Sequence, residues 1–96
     1  MSTPAHFKFR LYVAGNGPNS VQAVANLDTI CREHLAERHE IEIVDVLREP
    51  QRALEDLVLL TPLLVKLSPA PTRKIIGTLS QRAKVLHALD LPAAAP

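Results

Sequence analysis

An apolar run entered through a proline, Thr61-Pro62-Leu63-Leu64-Val65-Lys66-Leu67, constrains this chain more than any other stretch. Proline cannot donate a ladder hydrogen bond, so it belongs at the mouth of a strand, where a cis bond to Thr61 is tolerated. The run is short and reads as a strand, and Ser68-Pro69-Ala70-Pro71 forces a turn straight after it. Thr72-Arg73-Lys74-Ile75-Ile76 then returns as a second strand, so the two read as a hairpin that Gly77 stops. With 96 residues and 47% of them hydrophobic, the chain can build one modest core. Aromatic residues are scarce, and Phe7, Phe9 and Tyr12 all fall in the first apolar segment, so Leu, Ile, Val and Ala must fill that core.

The remaining elements follow from periodicity. Phe7, Phe9, Leu11 and Val13 alternate with Lys8, Arg10, Tyr12 and Ala14, the period of a first strand. Gly15 to Ser20 collects turn residues, with Asn19 or Ser20 placed to cap a helix that runs to about Arg38 on an apolar face of Val21, Val24, Leu27, Ile30, Cys31 and Leu35. Ile41, Ile43, Val44 and Val46, interleaved with Glu40, Glu42 and Asp45, make a second strand whose acids mark an exposed edge open to a second copy. Its crossover helix predicts parallel pairing with the first. Pro50 opens a short helix with Ala53, Leu54, Leu57 and Val58 as its packing face. Ser80 caps a last helix packed through Ala83, Val85, Leu86 and Leu89. Residues 1–6 read as a disordered N-terminus, 7–91 as the domain and 92–96 as a flexible tail. The order βαβαββα around a four-stranded mixed sheet is the minimal thioredoxin-like α/β arrangement, with Pro62 at the loop that faces the first turn.

That first turn is where such a fold keeps its chemistry. Asn16-Gly17-Pro18-Asn19 occupies the place of a Cys-Gly-Pro-Cys turn, and an asparagine amide supplies no thiolate. Disulfide exchange is therefore excluded, and the four residues remain as a structural turn. The spacing Gly15-x-Gly17-x-x-Ser20 with Asp45 mimics a dinucleotide-binding unit, but Ser20 replaces the third glycine and Pro18 removes a phosphate-binding N–H. The lone cysteine, Cys31, lies on an apolar helical face and reads as a buried thiol. The four histidines are dispersed, and no catalytic residue, cofactor or metal ligand is expected. A formal charge of +1 with both signs interspersed gives no footprint for nucleic acid or an anionic membrane, and a cytoplasmic protein is expected.

Leu11-Tyr12-Val13-Ala14-Gly15-Asn16-Gly17-Pro18-Asn19-Ser20, Val44-Asp45-Val46-Leu47, Thr61-Pro62 and Ile75-Ile76-Gly77 through Leu89-Asp90-Leu91 together resemble the KaiB family over residues 7 to 91. The resemblance implies a non-enzymatic partner of KaiC, a RecA-type ATPase of the circadian clock, acting in a timing or stress-response system. An alternative within the same resemblance is a thioredoxin-fold adaptor or sensor module with a different partner, since related domains serve histidine kinases. The family's lysines on the partner-facing surface fall here at Glu42 and Leu57, whereas Arg73 and Lys74 match its basic pair. Glu40, Glu42, Leu57, Arg73 and Lys74 are therefore expected at or near the partner surface.

The resemblance also implies metamorphism, because KaiB-like chains interconvert between a tetrameric fold and the thioredoxin-like monomer. The family's glycine before Leu-Asp is Ala88 here, and alanine is favoured over glycine inside a helix by about 1 kcal/mol. Pro92 removes a ladder donor where the other fold needs a strand, and Ala93 stands in place of a packing tyrosine. Together these changes are expected to contribute roughly 1 to 3 kcal/mol, enough to reduce the other fold to a minor species. The chain is expected to rest in the thioredoxin-like state.

Overall fold

The computed structural model describes residues 5–91, so the expected tail 92–96, with Pro92 and Ala93, and the first four residues of the expected disordered N-terminus lie outside it. Four strands, β1 (Phe7–Val13), β2 (His39–Asp45), β3 (Leu63–Ser68) and β4 (Arg73–Ile76), form one sheet in the order β2-β1-β3-β4. Strand β2 runs parallel to β1, while β3 and β4 follow antiparallel, as the crossover and the hairpin dictate. The helices are α1 (Pro18–His34), α2 (Pro50–Glu55) and α3 (Arg82–Ala88). This is the mixed thioredoxin-like sheet expected from the sequence.

Strand alternation divides the core into two layers. Phe7, Phe9, Leu11, Val13 and Leu64 face α1 and α3, where they pack against Ala23, Leu27, Ile30, Cys31, Leu35, Leu86 and Leu89. Tyr12, Val44, Leu63 and Val65 face the other way and pack with Val46 and Val58 around α2. Strand β3 is thus buried on both faces from Leu63 to Lys66, which accounts for its continuous apolar run. Lys66 sits in that run with 1% of its surface exposed; its Nζ lies 5.7 Å above the Phe7 ring and 3.5 Å from Asp90 Oδ2. Between Lys8 and Phe9 the β1–β3 register slips by one, which leaves Leu67 without a partner residue on β1 and exposed.

Several local expectations are corrected. Helix α1 begins at Pro18 after Gly17 as N-cap, because proline's fixed φ and missing N–H suit the first helical position. Neither Asn19 nor Ser20 caps it; the buried Ser20 hydroxyl accepts from the Ala14 N–H and closes the turn behind the strand. The helix stops at His34 rather than Arg38, since Leu35 drops into the core and Glu37 turns left-handed at φ 60°. Val21, expected to pack, is exposed on the flank of α1. Helix α2 ends at Glu55 and buries none of its residues, so Leu54 and Leu57 are not core positions, and Leu57 itself adopts φ 54° beyond the helix. Ser80 accepts from the Thr78 hydroxyl instead of capping α3, which starts after Gln81 with Ala83 exposed. Pro62 is cis as expected, but it precedes β3 rather than opening it, and its carbonyl accepts from the Gly77 N–H across the hairpin.

Two outcomes follow from this packing. Leu11→Ala removes a fully buried side chain between α1 and the sheet and should cost about 2 to 5 kcal/mol in denaturant unfolding, whereas Val21→Ala should cost well under about 1 kcal/mol. Backbone chemical shifts of the free protein should be helical across Arg82–Ala88; strand-like shifts from Val85 to Leu91 would place the resting population in the other fold.

Candidate partner-binding surface

Helix α2 has no buried residue of its own, so something other than apolar packing must hold it against the sheet. The register places Arg10 beside Glu42 on β2 and beside Val65 on β3, and Val65 beside Lys74 on β4. These side chains share the face that carries α2. The Arg10 guanidinium donates from Nε to Glu42 Oε1 at 2.8 Å and from Nη1 to Asp56 Oδ2 at 3.0 Å. Arg52, from α2 itself, meets the same glutamate through both Nη atoms, at 2.8 and 2.9 Å, a bidentate fork. The buried Tyr12 hydroxyl donates to Asp56 just beyond the helix. Two carboxylates therefore tie α2 to β1 and β2.

The electrostatics agree with this geometry. Arg52, then Arg10, hold the Glu42 carboxyl down to about 2, well below its ordinary 4.5. The Tyr12 hydroxyl and Arg10 lower Asp56 likewise, while burial raises the Tyr12 phenol. At the head of the turn, Asp45 accepts from the backbone N–H groups of Gly15 and Leu47, which fixes the β1–α1 turn against the β2–α2 turn and keeps Asp45 below its usual range. Gly15 has φ 63°, and a Cβ there would approach Leu47 Cδ1 to 3.4 Å.

What this scaffold presents is apolar. Leu47, Leu54, Leu57, Leu59 and Leu60, before, on and after α2, are 60–89% exposed. Soluble monomers rarely expose so many large apolar side chains within one short segment unless a partner covers them. Of the residues expected at a partner surface, Glu42, Leu57 and Lys74 share the α2 face, and Leu57 and Lys74 line one shallow cleft of about 280 Å³. Glu40 lies on β2 with His6 and Lys8 at 3.3 and 3.8 Å. Arg73 is not with them: its neighbour Lys74 points to the α2 face, and Arg73 Nε reaches Asp90 Oδ2 at 3.4 Å on the α3 side. Sequence reasoning missed Arg10, Tyr12, Arg52 and Asp56, and it treated Glu42 as a free surface charge.

The turn at Asn16 and Asn19 is exposed and carries no thiol. Cys31 is fully buried, and its thiol is pushed up to about 12 by burial and, secondarily, by Asp28. Among the described residues no three His, Cys, Asp or Glu side chains group as metal ligands, and no helix is long and apolar enough to cross a membrane.

Because Glu42 is lowered in the folded state, its contribution to stability is present above the ordinary glutamate range and lost as pH falls from about 4.5 towards about 2. Urea unfolding should show a loss of stability across that window that Glu42→Gln reduces; an identical acid profile for both proteins would mean the ion pairs do not hold α2.

The KaiB domain model matches residues 10–91. The circadian clock oscillator protein KaiB of Gloeothece citriformis is 51% identical over 85 residues, covering 88% of this chain and 80% of that one. The protein of the same description from Thermostichus vulcanus is 48% identical over 85 residues, covering 88% and 79%. By fold alone, the chain is similar to the N-terminal domain of Synechococcus elongatus SasA, with TM-score 0.73 at 19% identity over 100% of this chain and 94% of that domain. Mitochondrial thioredoxin 3 of Saccharomyces cerevisiae gives TM-score 0.71 at 19% identity over 91% and 80%. With a family model spanning nearly the whole fold and relatives about half identical over most of both chains, the chain belongs to the KaiB family, whose named relatives here are circadian clock proteins.

Proposed function

We propose that this chain is a non-enzymatic regulatory module that docks on a KaiC-type RecA-like ATPase in the cytoplasm, through the surface built on α2. The observation that carries this reading is the row of exposed leucines on and around a helix held by ion pairs rather than by burial. Such a helix keeps its apolar side chains free for a partner, and the rigid anchor lowers the ordering cost of binding. Glu42 serves the interface indirectly: it fixes α2 through Arg52 and Arg10. Leu57, where the family carries a lysine, contributes apolar contact where a charge would otherwise steer association. Family membership supports the ATPase as the partner.

The test is retention on the KaiC homologue encoded in the same genome. The protein should be retained in an ATP-dependent manner, and Leu57→Glu with Leu59→Glu should weaken retention at least about tenfold while leaving the circular dichroism spectrum unchanged. No retention in any nucleotide state, with capture of unrelated proteins instead, would favour an adaptor outside the ATPase system.

A further inference from the structure

We propose that the outer edge of β4, with the groove between β4 and α3, receives an extended acidic segment of a partner protein as a fifth strand. This goes beyond the reading given for α2, because it concerns the opposite edge of the sheet and the helix on the other face. Strand β4 closes the sheet order, and Arg73–Ile76 pair only with β3, so the outer backbone groups have no ladder partner among the described residues. Beside that edge runs a groove of about 550 Å³. Ile75, Leu79, Val85 and Ala88 give it an apolar lining and Lys84 stands along it; Lys74, whose side chain is on the α2 face, borders it from the strand, and no acidic residue lies among its walls. A strand added here would have hydrogen bonds to make, apolar positions for alternate side chains and cations for the rest.

The charges decide what kind of strand fits. Of the four lysines, Lys8 and Lys66 have a carboxylate within 4 Å, whereas Lys74 and Lys84 have none among the described residues. Asp90 is already taken by Lys66 and Arg73, and Lys74 shares its cleft on the α2 face with Glu55 and Asp56, so Lys84 is the cation left open to the groove. A second copy of β4 is a poor occupant, since it would bring its own Arg73 and Lys74 to an edge that already carries both cations. The other free edge differs: Glu40 and Glu42 on β2 are engaged with His6, Lys8, Arg10 and Arg52. An acidic segment with apolar residues at every second position therefore suits β4 and not β2.

The test uses the whole chain, labelled with ¹⁵N, and a synthetic acetylated, amidated peptide of sequence Glu-Val-Glu-Ile-Asp-Val. Its counterpart carries lysine at each acidic position. The acidic peptide should shift the amide signals of Arg73–Ile76 and of Lys84 to Ala88. Lys84→Glu, on an exposed position of α3, should weaken this binding at least about tenfold, and the lysine peptide should bind at least about tenfold more weakly. Added salt should weaken the wild-type interaction. Equal binding of both peptides, shifts centred on His39–Asp45 instead, no effect of Lys84→Glu, or no shifts with peptide at about 1 mM would each overturn the proposal. Retention on the KaiC homologue reads α2 separately, so failure here leaves that reading standing.

Discussion

Everything in this fold depends on burying the β1–β3 pair from both sides. Leu11 and Leu64 press against α1 and α3, while Tyr12 and Val65 press against the α2 layer, so the central strands can tolerate little polar substitution. A domain of this size has a small core, and the two thin layers on one sheet leave Leu47, Leu54, Leu57, Leu59 and Leu60 outside it. That leaves the outer strands and α2 lightly covered. The consequence is a division of labour: the centre supplies stability, and the periphery supplies unpaired edges and exposed leucines.

The α2 layer shows how a weakly packed element can still be rigid. A helix of six residues is far too short to persist alone, and none of its own residues is fully buried. Its position is set by a fork from Arg52 to Glu42, a shared Arg10, and Asp56 under Tyr12. Exposed ion pairs contribute little individually, but here they converge with a buried phenol and with Val58 in the second core layer. Geometry rather than large energy is what the network provides.

How much of this was readable beforehand depended on whether the signal was local. Strand β1, the β3–β4 hairpin and the βαβαββα order came from alternation and from turn residues, because burial of one face imposes its own period. The α2 leucines carried the same helical spacing as a core face, and pattern alone cannot say whether a partner or the protein's own sheet covers them. Ser20 and Ser80 looked like caps because capping chemistry is short-range, yet Pro18 at the first helical position displaced the former and the Thr78 hydroxyl engages the latter. The pairing of Glu42 with Arg52 needed the register of β2 beside β1 and the placement of α2 above them. Lys66 was misleading in its own way, since a lysine in an alternating strand reads as solvent-facing, whereas here it crosses the core to Asp90 over the Phe7 ring.

Cys31 has a consequence of a different kind. Its thiol lies where α1 meets the sheet, fully enclosed, and burial keeps it protonated across the physiological range. The nucleophile that thiol reagents need is therefore absent from the native state, and an oxidising episode in the cell would leave Cys31 of the folded protein unreacted. Alkylation of Cys31 can proceed only through molecules in which α1 has lifted from β1, so its rate under native conditions counts those openings directly. A single sulfur atom thus serves as a built-in reporter on the layer that carries most of the fold's stability.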